Sequence, residues 1–121
     1  MIKVLVVDDD FDLLEMVCLM LQSTETAPIC LQDCKQTMST LVENTPDVLV
    51  MDIYLGECDG RNLCKLVKTS QQYGNLPVIL YSAGEIDPVT IKECGADHFF
   101  KKPFDMNALL RSVNDLANRY N

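Results

Sequence analysis

Apolar residues along this chain gather into four short runs, and each run is closed by polar chemistry. Ile2-Lys3-Val4-Leu5-Val6-Val7 leads into Asp8, Asp9 and Asp10; Asp47-Val48-Leu49-Val50-Met51 ends on Asp52. Pro77-Val78-Ile79-Leu80-Tyr81 ends on Ser82, and Asp97-His98-Phe99-Phe100 ends on Lys101-Lys102-Pro103. Continuous apolar runs of this length, without alternation, predict strands buried on both faces, as in a parallel sheet.

The stretches between them carry the helical period. Leu14, Val17, Cys18 and Leu21 recur at i, i+3, i+4 and i+7, which gives a first helix one apolar face, with Asp10 and Asp12 as cap candidates. A segment from Ala27 to Leu31 reads as a second strand, and Met38, Leu41 and Val42 supply the apolar side of a second helix. Gly56 and Gly60 mark a loop after Asp52; Leu63, Leu66 and Val67 mark the third helix, and Tyr73-Gly74-Asn75 returns the chain to the next strand. Asp87-Pro88 opens a short fourth helix that Gly95 stops. Asp105 can cap a fifth, with Leu109, Leu110, Val113, Leu116 and Ala117 as its inward stripe. Five strand-then-helix repeats predict an α/β fold, a doubly wound five-stranded parallel sheet flanked by five helices. In such sheets ligands sit beyond the carboxyl ends of the strands, where all four polar clusters fall.

Composition narrows the reading. A chain of 121 residues, 48% hydrophobic and 23% charged, predicts a single domain over residues 1–121. Its net charge of -8 opposes non-specific contact with nucleic acid or an anionic membrane. No apolar run approaches the roughly 18 residues of a membrane-spanning helix, which predicts a cytoplasmic protein. Six cysteines with a single histidine and no CxxC pair do not make a zinc site. They are expected to be reduced thiols acting as small apolar side chains, with Cys58 worth watching because its loop lies close to Asp52.

Carboxylates, a hydroxyl and an ammonium at successive strand ends suit cation-assisted phosphoryl transfer, in which positive charge must offset phosphoryl oxygens that a carboxylate attacks. The set Val6-Val7-Asp8-Asp9, Asp52 with Asp59-Gly60, Ser82-Ala83, Gly95-Ala96-Asp97 and Lys102-Pro103-Phe104 resembles the receiver domains of bacterial two-component response regulators, over essentially the whole chain. The resemblance implies a flavodoxin-like sheet of order 2-1-3-4-5. It implies that Asp52 is the phosphoacceptor for a histidine kinase or histidine phosphotransfer protein. Mg2+ would be held by Asp9 directly, Asp8 through water, Asp52, and the backbone carbonyl of Tyr54. Lys102 and Ser82 would contact the phosphoryl oxygens, and Ser82 and Phe99 would form the switch, with a downstream protein target or fused effector reading it. Such a domain is a signalling phosphoacceptor and not an enzyme acting on a separate substrate.

Some residues depart from the family pattern. Gly56 stands where a proline is common, which predicts a more mobile loop. Tyr54 is bulkier than many residues at its position, Phe99 lacks the usual hydroxyl, and the stretch from Ser82 to Gly95 is short. Three other readings compete: a haloacid-dehalogenase-type phosphatase with Asp8 as nucleophile, a receiver-like binding module that works without phosphorylation, and an FMN-binding flavodoxin. The last conflicts with an acidic first loop where a phosphate cradle is needed.

Overall fold

The computed structural model describes residues 1–119; Tyr120 and Asn121, the end of the expected domain, lie outside the described residues. Five parallel strands form one sheet: β1 (Ile2–Val7), β2 (Thr26–Leu31), β3 (Val48–Asp52), β6 (Val78–Ser82) and β7 (His98–Lys101), in the order β2-β1-β3-β6-β7. A short antiparallel hairpin, β4 (Tyr54–Leu55) and β5 (Cys58–Asp59), follows β3. With the hairpin set aside, the order is the expected 2-1-3-4-5. The helices are α1 (Phe11–Leu21), α2 (Thr37–Asn44, after a 3-10 turn at Cys34–Gln36), α3 (Gly60–Thr69), α4 (Pro88–Cys94) and α5 (Met106–Arg119). Among the described residues no helix is long and apolar enough to cross a membrane.

Alternate residues of the central strands feed two cores. Val4, Val6, Val48, Val50, Ile79 and Tyr81 pack beneath α1 and α5, while Leu5, Val7, Leu49, Met51, Val78 and Leu80 pack beneath α2, α3 and α4. This is the two-sided burial that the uninterrupted apolar runs require. The predicted face of α1 is the buried one, and Asp10 rather than Asp12 caps it, accepting from the backbone N–H groups of Asp12 and Leu13. Asp87 caps α4, Pro88 occupies its first turn, and Gly95 ends it with a φ of 85°. Asp105 accepts from the backbone of Asn107 at 2.9 Å at the start of α5.

The structure corrects four details. On α2, Val42 is 59% exposed, and Thr37 and Leu41 face inward. On α3, Leu66 is exposed and Cys64 takes the inward place beside Val67, because Gly60 already presses against β3 and sets the rotation of the helix. The segment after Asp52, expected as a loop, pairs as a short antiparallel hairpin, with Gly56 turning it at a φ of 74°. Finally, four of the six cysteines are paired. Cys18 of α1 is joined to Cys30 of β2, and Cys34 to Cys58, with Cα separations of 6.5 and 6.3 Å that a disulfide spans readily. Cys64 and Cys94 remain buried free thiols, as expected of small apolar side chains, and burial pushes the Cys64 thiol well up.

Gly60 shows how tightly α3 sits on the site. Its N–H donates to the Ile53 carbonyl at 2.7 Å, and a Cβ there would run into the carbonyl of Asp52 and lie 3.0 Å from Ile53 Cα. Those are backbone atoms that cannot rotate away. Gly60→Ala is therefore expected to cost about 1–3 kcal/mol through overpacking, outweighing the helix propensity that alanine adds. Urea unfolding should give a lower midpoint at an unchanged slope; an equal or higher midpoint would contradict the packing argument.

Candidate functional site

The sheet order brings the predicted residues together. Asp8 directly follows β1, Asp52 ends β3, Ser82 ends β6 and Lys102 directly follows β7, so neighbouring strands deliver the groups to one edge. Between β1 and β3 the winding reverses, which opens the crevice.

Asp8 is fully buried. The Tyr81 hydroxyl donates to its Oδ2 at 2.5 Å, and the Asp10 backbone N–H donates to its Oδ1 at 3.0 Å. Burial nevertheless raises the Asp8 pKa above the ordinary carboxylate value, opposed by the Tyr81 and Asp10 hydrogen bonds, reinforced by the charge of Asp52, and eased by Lys102. Tyr81 is held strongly toward its neutral form by burial first and then by Asp8.

Asp52 is also buried, but its oxygens point to different partners. Oδ1 accepts from the Tyr54 backbone N–H at 3.1 Å, and Oδ2 accepts from Lys102 Nζ at 3.0 Å. The same ammonium lies 4.8 Å from the centre of the Tyr81 ring, a cation–π contact that helps hold it over the site. Lys101 points elsewhere and pairs with exposed Glu85 at 3.0 Å. Ser82 is fully buried, and its Oγ accepts from Gly84 N at 3.1 Å.

Asp9 is exposed. Its backbone carbonyl accepts from Gln32 at 3.1 Å, and among the described residues no donor reaches its carboxylate. Tyr54 projects outward with its ring against the loop after β6, where a Cβ on Gly84 would come within 2.9 Å of Cε2. Phe99 lies half-buried on edge strand β7 and lines a groove of about 340 Å³ with Ile86, Ile91 and Ala96.

Among the described residues no three Asp, Glu, His or Cys side chains are arranged as a ready cage for a metal ion. The donor set is nonetheless the right one for Mg2+: Asp8, Asp9, Asp52 and a backbone carbonyl are all hard oxygens. That ion retains several waters and needs only one or two carboxylates from the protein.

Tyr81 is the site residue that the sequence pattern places in the core. The available signal was chemical: a buried tyrosine needs a partner for its hydroxyl, and an aspartate one strand beyond its neighbour is within reach. A second unforeseen network joins the hairpin to α4. Asp59 caps α3 and binds Arg61 at 2.6 Å, Arg61 donates to Thr90 at 3.1 Å, and this pairing lowers the Asp59 pKa.

The raised Asp8 pKa carries a pH signature. Between the unfolded and folded values the native state binds more protons, so this group's contribution to stability falls as pH rises from about 4 through the folded pKa. Asp8→Asn removes that titration. In EDTA, its melting temperature relative to the parent should climb as pH is raised from about 4 to about 7. A difference that does not vary with pH would contradict the burial argument.

The model of the family "Response regulator receiver domain" matches residues 4–114. The chain is 32% identical to the heme response regulator HssR of Staphylococcus haemolyticus, over 99% of this chain and 53% of that protein. It is 30% identical to the phosphate regulon transcriptional regulatory protein PhoB of Klebsiella pneumoniae, over 97% of this chain and 52% of that protein. The chain thus spans about half the length of these relatives. Among solved structures, a putative response regulator from Chloroflexus aurantiacus superposes with a TM-score of 0.89 at 29% identity, covering 97% of this chain and 98% of that one. The receiver domain of the Francisella response regulator 1452 gives 0.88 at 29%, with both chains covered completely. The chain belongs to the response regulator receiver domain family.

Proposed function

We propose that this receiver is a magnesium-dependent phosphoacceptor switch in a two-component phosphorelay. Asp52 takes a phosphoryl group from the phosphohistidine of a histidine kinase or phosphotransfer protein in the cytoplasm, and the product changes what the domain binds. The observation that carries this reading is the Lys102 ammonium 3.0 Å from Asp52 Oδ2, at the carboxyl end of the central strand. An Asp52 oxygen attacks phosphorus, the P–N bond breaks, and its electron pair stays with the imidazole. Lys102 offsets charge on the transferred oxygens, and Asp8, Asp9, Asp52 and the Tyr54 carbonyl would hold Mg2+. When bound, that ion supplies further positive charge against the same oxygens.

Asp8 is a poorer nucleophile candidate, which disfavours the phosphatase reading. It is fully buried, and both its oxygens accept hydrogen bonds from the protein. The complete set of Asp52, Lys102 and Ser82 speaks against a binding module that works without phosphorylation. The domain catalyses only its own modification and its reversal. Its output passes to a downstream protein or a fused effector, and its net charge of -8 disfavours direct contact with nucleic acid or membrane.

Acetyl phosphate with Mg2+ should add one phosphoryl group to the parent, read by intact-protein mass spectrometry. Asp52→Asn and EDTA should each abolish the addition. Modification persisting in either case would remove Asp52 or the ion from the mechanism.

For the output, Ser82 would exchange its Gly84 partner for a phosphoryl oxygen and open space for Phe99 to turn inward. Beryllofluoride mimics the aspartyl phosphate. Amide NMR shifts over residues 84–100 should change on its addition in the parent and much less in Ser82→Ala. Equal changes in two proteins that both bind the mimic would rule out Ser82 as the coupling residue.

A further inference from the structure

The hairpin that follows Asp52 is tied to the opposite side of the site by a covalent link that the receiver chemistry does not use. Cys58 on β5 is joined to Cys34, the first residue of the turn after β2. The turn is a firm anchor: Asp33 accepts from Lys35 N at 3.0 Å, and Thr37 Oγ1 donates to the Cys34 carbonyl at 2.7 Å. The hairpin is the element with function at stake. It carries Tyr54, whose N–H binds Asp52 and whose ring rests on the Gly84 loop, and Gly56, where a Cβ would lie 3.2 Å from Asp9 Oδ2.

Two features suit this bond to opening and closing. Cys58 is partly buried whereas Cys34 is only 4% exposed, so Cys58 is the end of the bond nearer to an external thiol or disulfide. Cys34 Sγ lies 3.6 Å from the Leu55 carbonyl, so the reduced thiol has an acceptor waiting and its burial is not penalised. Once the bond is open, two ties still join turn to hairpin, the weak Cys34 thiol contact with the Leu55 carbonyl and the ion pair Lys35–Glu57, whose side chains are both well exposed; neither restrains as a covalent bond does.

We propose that Cys34 and Cys58 are a reversible dithiol–disulfide site that sets the lifetime of the phosphoryl group on Asp52, with low-molecular-weight disulfides and thiols as its reaction partners. The inference rests on Asp52 being the phosphoacceptor. In the closing step the Cys58 thiolate attacks one sulfur of the external disulfide, whose S–S bond breaks and releases one thiolate. Cys34 then attacks Cys58 Sγ and expels the second. Both cysteine sulfurs are oxidised, the external disulfide is reduced to two thiols, and these take the two protons that the cysteines lose. Closed, the link holds the hairpin so that Tyr54 shields the aspartyl phosphate from water; open, it lets the ring leave. The Cys18–Cys30 link, between α1 and edge strand β2, lies outside this loop and serves as the internal control.

The test uses the full chain equilibrated with oxidised or reduced glutathione. Alkylation and peptide mapping locate the linkage, and mass spectrometry follows decay of the form made with acetyl phosphate and Mg2+. The expected result is a Cys34–Cys58 linkage in the oxidised protein and decay about threefold or more faster in the reduced protein. Cys58→Ser and Cys58→Ala should decay at the fast rate under both conditions, while Cys18→Ser keeps the redox difference. Cysteines 34 and 58 left unlinked in oxidised glutathione would overturn the proposal, as would a mapped linkage with equal decay in both states. If the Cys58 variants fold poorly, Cys18→Ser still gives this comparison, because Cys34–Cys58 is then the only disulfide left among the described residues. No modification of Asp52 in either redox state would instead overturn the phosphoacceptor reading, and this regulation with it, while peptide mapping still tests the cysteine pair independently.

Discussion

Two acidic side chains at neighbouring strand ends, Asp8 and Asp52, are kept almost wholly out of water, and the rest of the site is arranged around that cost. Burying a carboxylate is tolerable only when hydrogen bonds and opposite charge replace its hydration. Tyr81 and the Asp10 amide serve Asp8, and the Tyr54 amide and Lys102 serve Asp52. One ammonium and a few N–H and O–H groups do not fully compensate two buried negative charges, and the Asp8 pKa rises accordingly. A site left short of positive charge is one that a divalent cation improves, so the same imbalance that costs folding energy favours the ligand the proposed chemistry needs.

Topology makes the imbalance possible. Each of β1, β3 and β6 runs through both cores with its backbone satisfied by its neighbours, and only its carboxyl end emerges. The apolar strands therefore act as rigid stalks that fix where charge appears. Phe104 packs against Tyr81 with its ring tilted and ring centres 5.4 Å apart, so the ring that holds both Asp8 and Lys102 is braced by the segment following Lys102 itself. Precision at Asp52 is thus inherited from packing well beneath it.

This division explains what could be read from the chain. Strand ends and helix caps are local, and Asp10, Asp87, Pro88, Gly95 and Asp105 act as the sequence suggests. The rotation of α3 is not local: Leu63, Leu66 and Val67 form a credible face, yet the contact of Gly60 with β3 turns Cys64 inward instead. Val42 departs as well: on the two-turn α2 the buried positions are Thr37 and Leu41, one turn apart, and Val42 falls beside that narrow stripe. Cysteine pairing depends on segments 12 and 24 residues apart, and spacing alone does not reveal it. Tyr81 is hidden by its own hydrophobicity, because a tyrosine within an apolar run reads as core until its hydroxyl is assigned a partner.

The loops over Asp52 are held by links of unequal kind. On one side the β4–β5 hairpin is fastened through Cys34–Cys58; on the other, the loop after β6 is fastened by a hydrogen bond from Gly84 to Ser82 Oγ. Tyr54 bridges them, since its chain belongs to the first and its ring rests on the second. In the proposed switch Ser82 turns to the phosphoryl group, and the act of signalling frees the loop that seats the shielding ring. The activated state would then admit water more readily as it forms, and its duration would depend on how firmly the opposite side holds Tyr54. A covalent tether there and a hydrogen bond opposite give the two halves of the cover different thresholds for opening. Signal output and signal lifetime can in this way be set by different residues around a single carboxylate.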